Sequence, residues 1–212
     1  MPRAPLVPAR GRHYPPSPMA TKEFFVAAYE GAPPPWDLGR PQRDLVQAFD
    51  ELGLTGSAVD LGCGTGEHVL DLARRGVDAW GVDSTPSAIA AAERKRDTRG
   101  LTAKLVCGDA LDLKALGRRF DTVLDCGLFH VIAEEERLRY VRELDDVLGP
   151  GGRFLMLGFQ PHTRERGPRG YTPDELRNYL AGYREVYIRP ATYETNDSTD
   201  GMPAWLSLFE HG

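Results

Sequence analysis

Cysteine is scarce in this chain: only Cys63, Cys107 and Cys126 occur among 212 residues. No two of them form a CxxC pair, and no zinc-binding spacing is present. So few thiols, in an odd number, fit a reducing cytoplasm better than a disulfide-built scaffold. Buried, inert thiols are the default reading of all three. Long apolar runs are missing as well. None approaches the roughly 20 residues that span a bilayer, and the start lacks the apolar stretch of a signal peptide, so no membrane association is expected. A positive excess is also lacking. Lysine and arginine number 26 against 31 acids, a net charge of -5. Phosphate-binding surfaces usually show as a basic face, so nucleic acid is not an expected partner.

Proline, by contrast, is concentrated at one end. Residues 1–20 hold six prolines and three arginines without an acid. Such a segment cannot bury enough apolar surface to offset its ordering entropy. It reads as a disordered tail, with Met19 a candidate true start. The folded unit is expected over 21–212. A helix begins at Thr21, with Phe24, Phe25, Ala28 and Tyr29 on one stripe, and Gly31 ends it. Rigid, extended chain follows through Pro33–Pro35, Trp36 and Pro41. Pro41 opens a second helix to about Leu52. Residues 21–53 thus read as a helical arm.

Beyond the arm, strand and helix alternate. Strands are predicted at 57–61, 78–82, 103–107, 121–126 and 153–159. Helices are predicted near 66–75, 86–97, 134–148 and 173–181. Two later strands are placed at 183–192 and 204–210, with the polar stretch Thr192–Asp200 a loop between them. Regular βα alternation implies a doubly wound α/β fold, its mostly parallel sheet covered by helices on both faces. Right-handed crossovers then set the strand C-termini along one edge, where such sheets bind ligands.

Four turns on that edge carry the candidate chemistry. The first is Val59–Gly66, VDLGCGTG: an apolar strand, three glycines and a helix start. Glycine permits the sharp turn and lets a ligand approach the main chain closely. The spacing is G-x-G-x-G, and Glu67 stands where a dinucleotide fingerprint wants glycine. A pyrophosphate would meet that carboxylate, so a ligand without phosphate suits the loop. The second turn ends in Asp83, 23 residues after Asp60. An acid there suits ribose hydroxyls, and Ser84 would cap the next helix and free it. The third, Gly108-Asp109-Ala110, suits an exocyclic amine or is an ordinary Asx turn. The fourth is Asp125-Cys126-Gly127-Leu128-Phe129-His130. Leu148–Gly152, LGPGG, is read as a structural turn.

Taken in order, VDLGCGTG (59–66), GVD (81–83), GDA (108–110), FDTVLDCGLFH (120–130) and LGPGG (148–152) resemble the class I S-adenosylmethionine-dependent methyltransferases. The resemblance covers about residues 41–160. It implies a Rossmann-like sheet of seven strands, mostly parallel with an antiparallel last strand. It implies that the backbone of Gly62, Cys63, Gly64 and Gly66 packs against the methionine and ribose portions of the cofactor, with Asp60 near the ammonium through water. Asp83 and Ser84 would hold the ribose, Asp109 and Ala110 the adenine, and main-chain groups near Asp125 and Cys126 the amino-acid end. A second stretch, Pro34–Pro41 (PPWDLGRP), is similar to the N-terminal segment of thiol, halide and thiopurine methyltransferases and of bacterial enzymes acting on phenols, quinones and heteroaromatics. There the tryptophan lines the cofactor site, a role that falls here on Trp36. The bland alternative makes Trp36 an anchor for the arm.

Methyl transfer would go to S, O or N of a small molecule, because the arm, strands and helices leave little chain for recognising a macromolecule. The acceptor pocket is assigned to Phe25, Tyr29, Trp36, Phe129 and His130, with Phe24 in the core. His130 is the best candidate base, since imidazole titrates near neutrality. It stands beside the reading that it only orients a loop. Asp125 is the second candidate. A lone acid there makes no metal cluster, so no metal is expected. The loop Gln160–Gly170, with Arg164, Arg166 and Arg169, reads as a solvated loop, with a lid or a contact to an anionic acceptor as the alternatives. The rival classes are an NAD-linked oxidoreductase, a non-catalytic cofactor-binding module, and a protein or RNA methyltransferase.

Overall fold

A computed structural model describes residues 21–162 and 168–212. The expected N-terminal tail, Met19, Arg164 and Arg166 lie outside the described residues. The order of elements is α1 (Lys22–Ala28), α2 (Arg43–Leu52), β1 (Ser57–Leu61), α3 (Glu67–Arg74), β2 (Asp78–Asp83), α4 (Pro86–Thr98), β3 (Lys104–Cys107), β4 (Phe120–Cys126), α5 (Arg137–Val147), β5 (Leu148–Phe159), α6 (Pro173–Tyr179), β6 (Tyr183–Thr195) and β7 (Ser198–His211). The strands form one seven-stranded sheet in the order β3-β2-β1-β4-β5-β7-β6. Strands β1 to β5 run parallel, and β7 is antiparallel to both β5 and β6. The doubly wound, mostly parallel sheet is therefore as the alternating pattern requires. Among the described residues no helix is long and apolar enough to cross a membrane.

Alternation along each central strand divides the core in two. Ala58, Leu124, Leu155 and Leu157 point to one face, where Leu45, Ala48 and Phe49 of α2 and Val69 and Leu72 of α3 cover them. Val59, Leu61, Val123, Phe154 and Met156 point to the other, under Tyr140, Val141 and Leu144 of α5 and Leu176 of α6. Both faces of a parallel sheet must be buried in this way, so its strands read as nearly unbroken apolar runs. At the first switch from strand to helix, Gly66 caps α3 with φ +82°. A Cβ there would lie 2.9 Å from the Ala92 Cβ of α4, so any side chain would push the two helices apart.

Four boundaries differ from the periodic reading. Helix α2 starts at Arg43, with Gln42 as its N-cap and Pro41 outside, because Gln42 bonds across to β6. The helix predicted over 134–148 opens as a 3-10 turn, Glu134–Glu136, and becomes α only at Arg137. The LGPGG stretch is part of β5: Leu148 pairs with Phe120, and the register slips before Arg153 meets Thr122. The predicted loop Thr192–Asp200 is a hairpin. Strands β6 and β7 extend to Thr195 and from Ser198, leaving a two-residue turn at Asn196-Asp197. Polarity suggested a loop. Yet a hairpin tip that pairs on the protein surface tolerates polar residues, and Asn-Asp suits a tight turn.

Candidate active site

The C-terminal edge of β1, β2, β3 and β4 opens into a cavity of about 550 Å³. A smaller cavity of about 60 Å³ adjoins it. Tyr29, Trp36, Gly62, Cys126 and Tyr193 line both.

The glycine loop forms the floor between them. Gly62 and Gly64 hold φ of +68° and +53°, a backbone that other residues adopt only under strain. Gly62 and Cys63 both donate main-chain N–H bonds to the carbonyl of Val82, which ties the loop to β2. A Cβ on Gly64 would stand 2.7 Å from the Tyr29 hydroxyl. The Gly64 amide donates to Asp83 Oδ2 at 2.8 Å, and the Thr85 amide donates to Oδ1 at 2.8 Å. Asp83 is thus held square to the cavity by two backbone donors. Ser84 lines the cavity but does not cap α4. Thr85 is the N-cap, without a side-chain bond, and Asp83 takes its amide instead. Asp109 accepts from the Leu111 amide at 2.8 Å, an Asx turn that also presents Asp109 and Ala110 to the cavity.

Four assigned residues reach neither cavity. Gly66 is spent on the contact with α4. Asp60 is buried beneath the loop with neither carboxylate oxygen hydrogen-bonded; its neighbour is His68 Nδ1 at 3.6 Å. Burial pushes its carboxyl above the usual range, with the nearby His68 opposing. Asp125 is fully buried and satisfied from within. It accepts from the amides of Leu128 (2.9 Å) and Phe129 (3.0 Å) and from the Tyr140 hydroxyl (2.8 Å). Burial raises its carboxyl to about 7 in spite of these donors. Its side chain shapes the turn after β4. Phe129, assigned to the acceptor pocket, belongs to the core. It is 1% exposed and packs edge-on against Tyr171 and Tyr179. The Asp125 turn aims it inward and its neighbour His130 outward.

His130 lines the large cavity, stacked on Phe159 with centroids 4.3 Å apart. The Phe159 amide donates to its Nδ1 at 3.4 Å. Desolvation, with the positive Arg137 and the nearby His162, lowers the imidazole to about 3. The arm supplies the opposite wall. Phe25 and Trp36 meet edge to face at 5.8 Å, and Trp36 Nε1 donates to the Tyr29 hydroxyl at 3.0 Å. Phe24, expected in the core, lines the cavity too, because α1 buries no residue of its own.

What holds the arm down was not read from the sequence. Arg40 pairs both nitrogens with Glu194 of β6, at 2.9 and 3.0 Å. Gln42 bonds both main-chain groups of Glu194, and the Asn196 side chain donates to the Asp37 carbonyl. Asp37 in turn accepts from Thr65 of the glycine loop at 3.0 Å. Phe159, Tyr193, Thr195 and Met202 of the late strands also line the cavity and were missed. Phe159 ends β5 on the ligand edge, so the edge rule alone would have found it.

A bare glycine floor and two acids on the cavity wall, Asp83 and Asp109, fit a ligand with a ribose and no phosphate. Comparison with known proteins agrees. Residues 58–152 match the family described as "Methyltransferase domain". The chain is 30% identical to a 2-heptyl-1-hydroxyquinolin-4(1H)-one methyltransferase of Mycobacteroides abscessus, over 82% of each chain. It is 27% identical to a probable thiol methyltransferase of Arabidopsis thaliana, over 82% of this chain and 74% of that one. Among solved structures it is similar to one from work on the conversion of a disulfide bond into a thioacetal group during echinomycin biosynthesis. That match has a TM-score of 0.80 and 32% identity over 90% of this chain and 93% of the other. The glycine spacing that spoke against a dinucleotide is thus that of a different cofactor class, and the chain belongs to the class I S-adenosylmethionine-dependent methyltransferases that act on small molecules.

Proposed function

We propose that the acceptor is a planar heteroaromatic hydroxyl compound, methylated on oxygen. One observation carries this reading: the cavity that opens onto the glycine loop is walled by aromatic rings. Phe24, Phe25 and Trp36 stand on the arm side, with Phe159, Tyr193 and His130 opposite. Flat rings bind well between such walls, with edge-to-face and offset contacts worth about 0.5–1.5 kcal/mol each beyond area burial. The quinolone acceptor of the Mycobacteroides relative is of this shape. A sulfur acceptor is the second reading, favoured by the thiol and disulfide chemistry named for two relatives.

S-Adenosylmethionine supplies an electrophilic methyl group on a sulfonium when bound. In our reading, Gly62, Cys63 and Gly64 hold its methionine end, with Asp60 beneath the loop beside His68 and out of direct contact. Asp83 takes the ribose, Asp109 and Ala110 the adenine. Trp36 closes the site from above and the aromatic walls exclude water. The chain's contribution is alignment and dryness, because a neutral thioether leaves without help from an acid. For the same reason no metal is required, and we place the reaction in the cytoplasm, where three unpaired thiols are stable.

A panel of hydroxyquinolones, phenols, heteroaromatic amines and thiols, assayed by mass spectrometry with and without chelator, tests the proposal. Heteroaromatic hydroxyls should give the highest kcat/KM, unchanged by chelator. Turnover of aliphatic thiols alone would overturn it.

A further inference from the structure

His130 was assigned as a base, and its surroundings oppose that role. A backbone N–H can only donate, so the ring nitrogen facing the Phe159 amide carries no proton. In a neutral imidazole the proton then sits on Nε2. The ring is pinned in this orientation by its stack on Phe159. Gly127, at φ +84°, crowds the other side: a Cβ there would lie 3.3 Å from His130 Cε1. The Asp125 turn fixes the backbone leading to it. The Phe159 amide engages Nδ1 and so leaves Nε2 as the nitrogen available to the large cavity that the ring borders.

We propose that His130 is a fixed Nε2–H donor toward the acceptor and not a proton acceptor, so that the enzyme selects heteroaromatics whose hydroxyl is already ionised at neutral pH and which carry a second oxygen to receive that hydrogen bond. This rests on the reading of the acceptor given above.

The charges around the ring point the same way. Arg137 from α5 and His162 from the loop after β5 both disfavour a second positive charge on it. Cys126 of β4 and Tyr193 of β6 have burial-raised pKa values and offer no compensating anion. Glu136, Asp83, Asp109, Asp197 and Lys22 line the same cavity. Burial keeps the ring neutral down to about 3, so it cannot hold a proton taken from a phenol. The reaction balances without it. The acceptor's proton leaves to solvent before binding. The oxyanion then forms the new O–C bond as the S–C bond breaks, and that electron pair stays on sulfur.

Two measurements on the full-length protein test this. The first is nitrogen-15 NMR of labelled histidines, with His130→Gln identifying the resonance. The expected result is an Nε2–H tautomer that does not titrate between about pH 5 and 8. A titrating ring, or a proton on Nδ1, would overturn the proposal. The second is the pH dependence of kcat/KM over acceptors with hydroxyl pKa values from roughly 5 to 10. The acid limb should move with the acceptor's own pKa. A limb that stays at one pH for every acceptor would overturn it. Substitution adds a further readout. His130→Ala should cost ~10–100-fold in kcat/KM, the loss of one hydrogen bond to a charged group, whereas His130→Gln, which keeps a donor, should recover most of it and leave the pH profile unmoved. Equal loss in both variants counts against a donor. The two levels fail separately. Turnover with a titrating ring overturns the donor alone. No methyl transfer to any member of the series, with S-adenosylhomocysteine still bound in calorimetry, overturns the acceptor reading and the selected class together.

Discussion

The floor of the site and its lid are built by opposite means. The floor uses main chain. Three successive strand ends, within about 50 residues of sequence, present glycine backbone and acids that backbone amides orient, such as Asp83 between Gly64 and Thr85. The lid uses side chains paired across the chain. Arg40 and Gln42 reach Glu194, and Asn196 reaches Asp37, over sequence separations of 152 to 159 residues. The first kind of structure is rigid because parallel strands buried on both faces fix every atom of the turn. The second is held by a handful of polar contacts at the surface. The cofactor must be bound alike by every member of such a family, while the acceptor differs, and the construction matches that division.

The sharpest test of the contrast is Asp83→Ala. It removes the acid assigned to the ribose and frees two amides of the floor. Affinity for S-adenosylhomocysteine in calorimetry should fall by about 100-fold, as two hydrogen bonds to a charged group are lost. Lid contacts should survive, so limited proteolysis of the arm should not change. Unchanged affinity would mean that the acid only caps α4.

Beside the floor, at the end of β4, Asp125 gives a pH test. Its folded carboxyl is raised to about 7, above its unfolded value. The folded state therefore holds a proton that the unfolded chain gives up. The stability from that difference is fully present below the unfolded value of about 4 and is lost as pH rises through 7. Between pH 5 and 8.5 the loss is on the order of 2 kcal/mol. Asp125→Asn carries no charge and should show a flatter melting temperature over that range, even though it faces the Leu128 amide with one acceptor fewer. Parallel curves for the two proteins would show that Asp125 keeps its charge in the fold.

The same division explains what the sequence made legible. The floor could be read because each of its parts is local: a glycine spacing, an acid after an apolar strand, a repeat of strand and helix. Even there, adjacent residues were confused. Phe129 and His130 were both sent to the pocket, whereas a turn closed on the Asp125 carboxylate must point them apart. Ser84 was expected to cap α4, and the Thr85 amide went to Asp83 instead. The lid was read only in half. Trp36 was visible through the resemblance of PPWDLGRP, and Phe25 and Tyr29 as an aromatic stripe on a helix. Their partners on β6 were not, because Glu194 and Asn196 lie in a stretch whose polarity resembles a loop. Nothing local says that a polar hairpin tip will clamp residues 150 positions earlier.

Gln42→Ala tests whether that clamp is separable from the floor. The Gln42 side chain is 2% exposed and spans the two main-chain groups of Glu194, donating to its carbonyl at 2.9 Å and accepting from its amide at 2.8 Å. Its own amide donates to His68 Nε2 at 3.2 Å and needs no side chain to do so. Truncation thus leaves one donor and one acceptor of β6 without partners while sparing the link to the floor. Each unsatisfied buried group costs about 1–3 kcal/mol, and water entering beside the shortened side chain recovers part of this, so a net loss of about 1–2 kcal/mol in urea unfolding is expected. The kinetic signature matters more than the size. If lid and floor are independent, KM for the acceptor should rise several-fold, while affinity for S-adenosylhomocysteine changes less than twofold. A parallel loss of both affinities would show that the hairpin holds the glycine loop as well as the arm. The path for that coupling runs from Asn196 through Asp37 to Thr65.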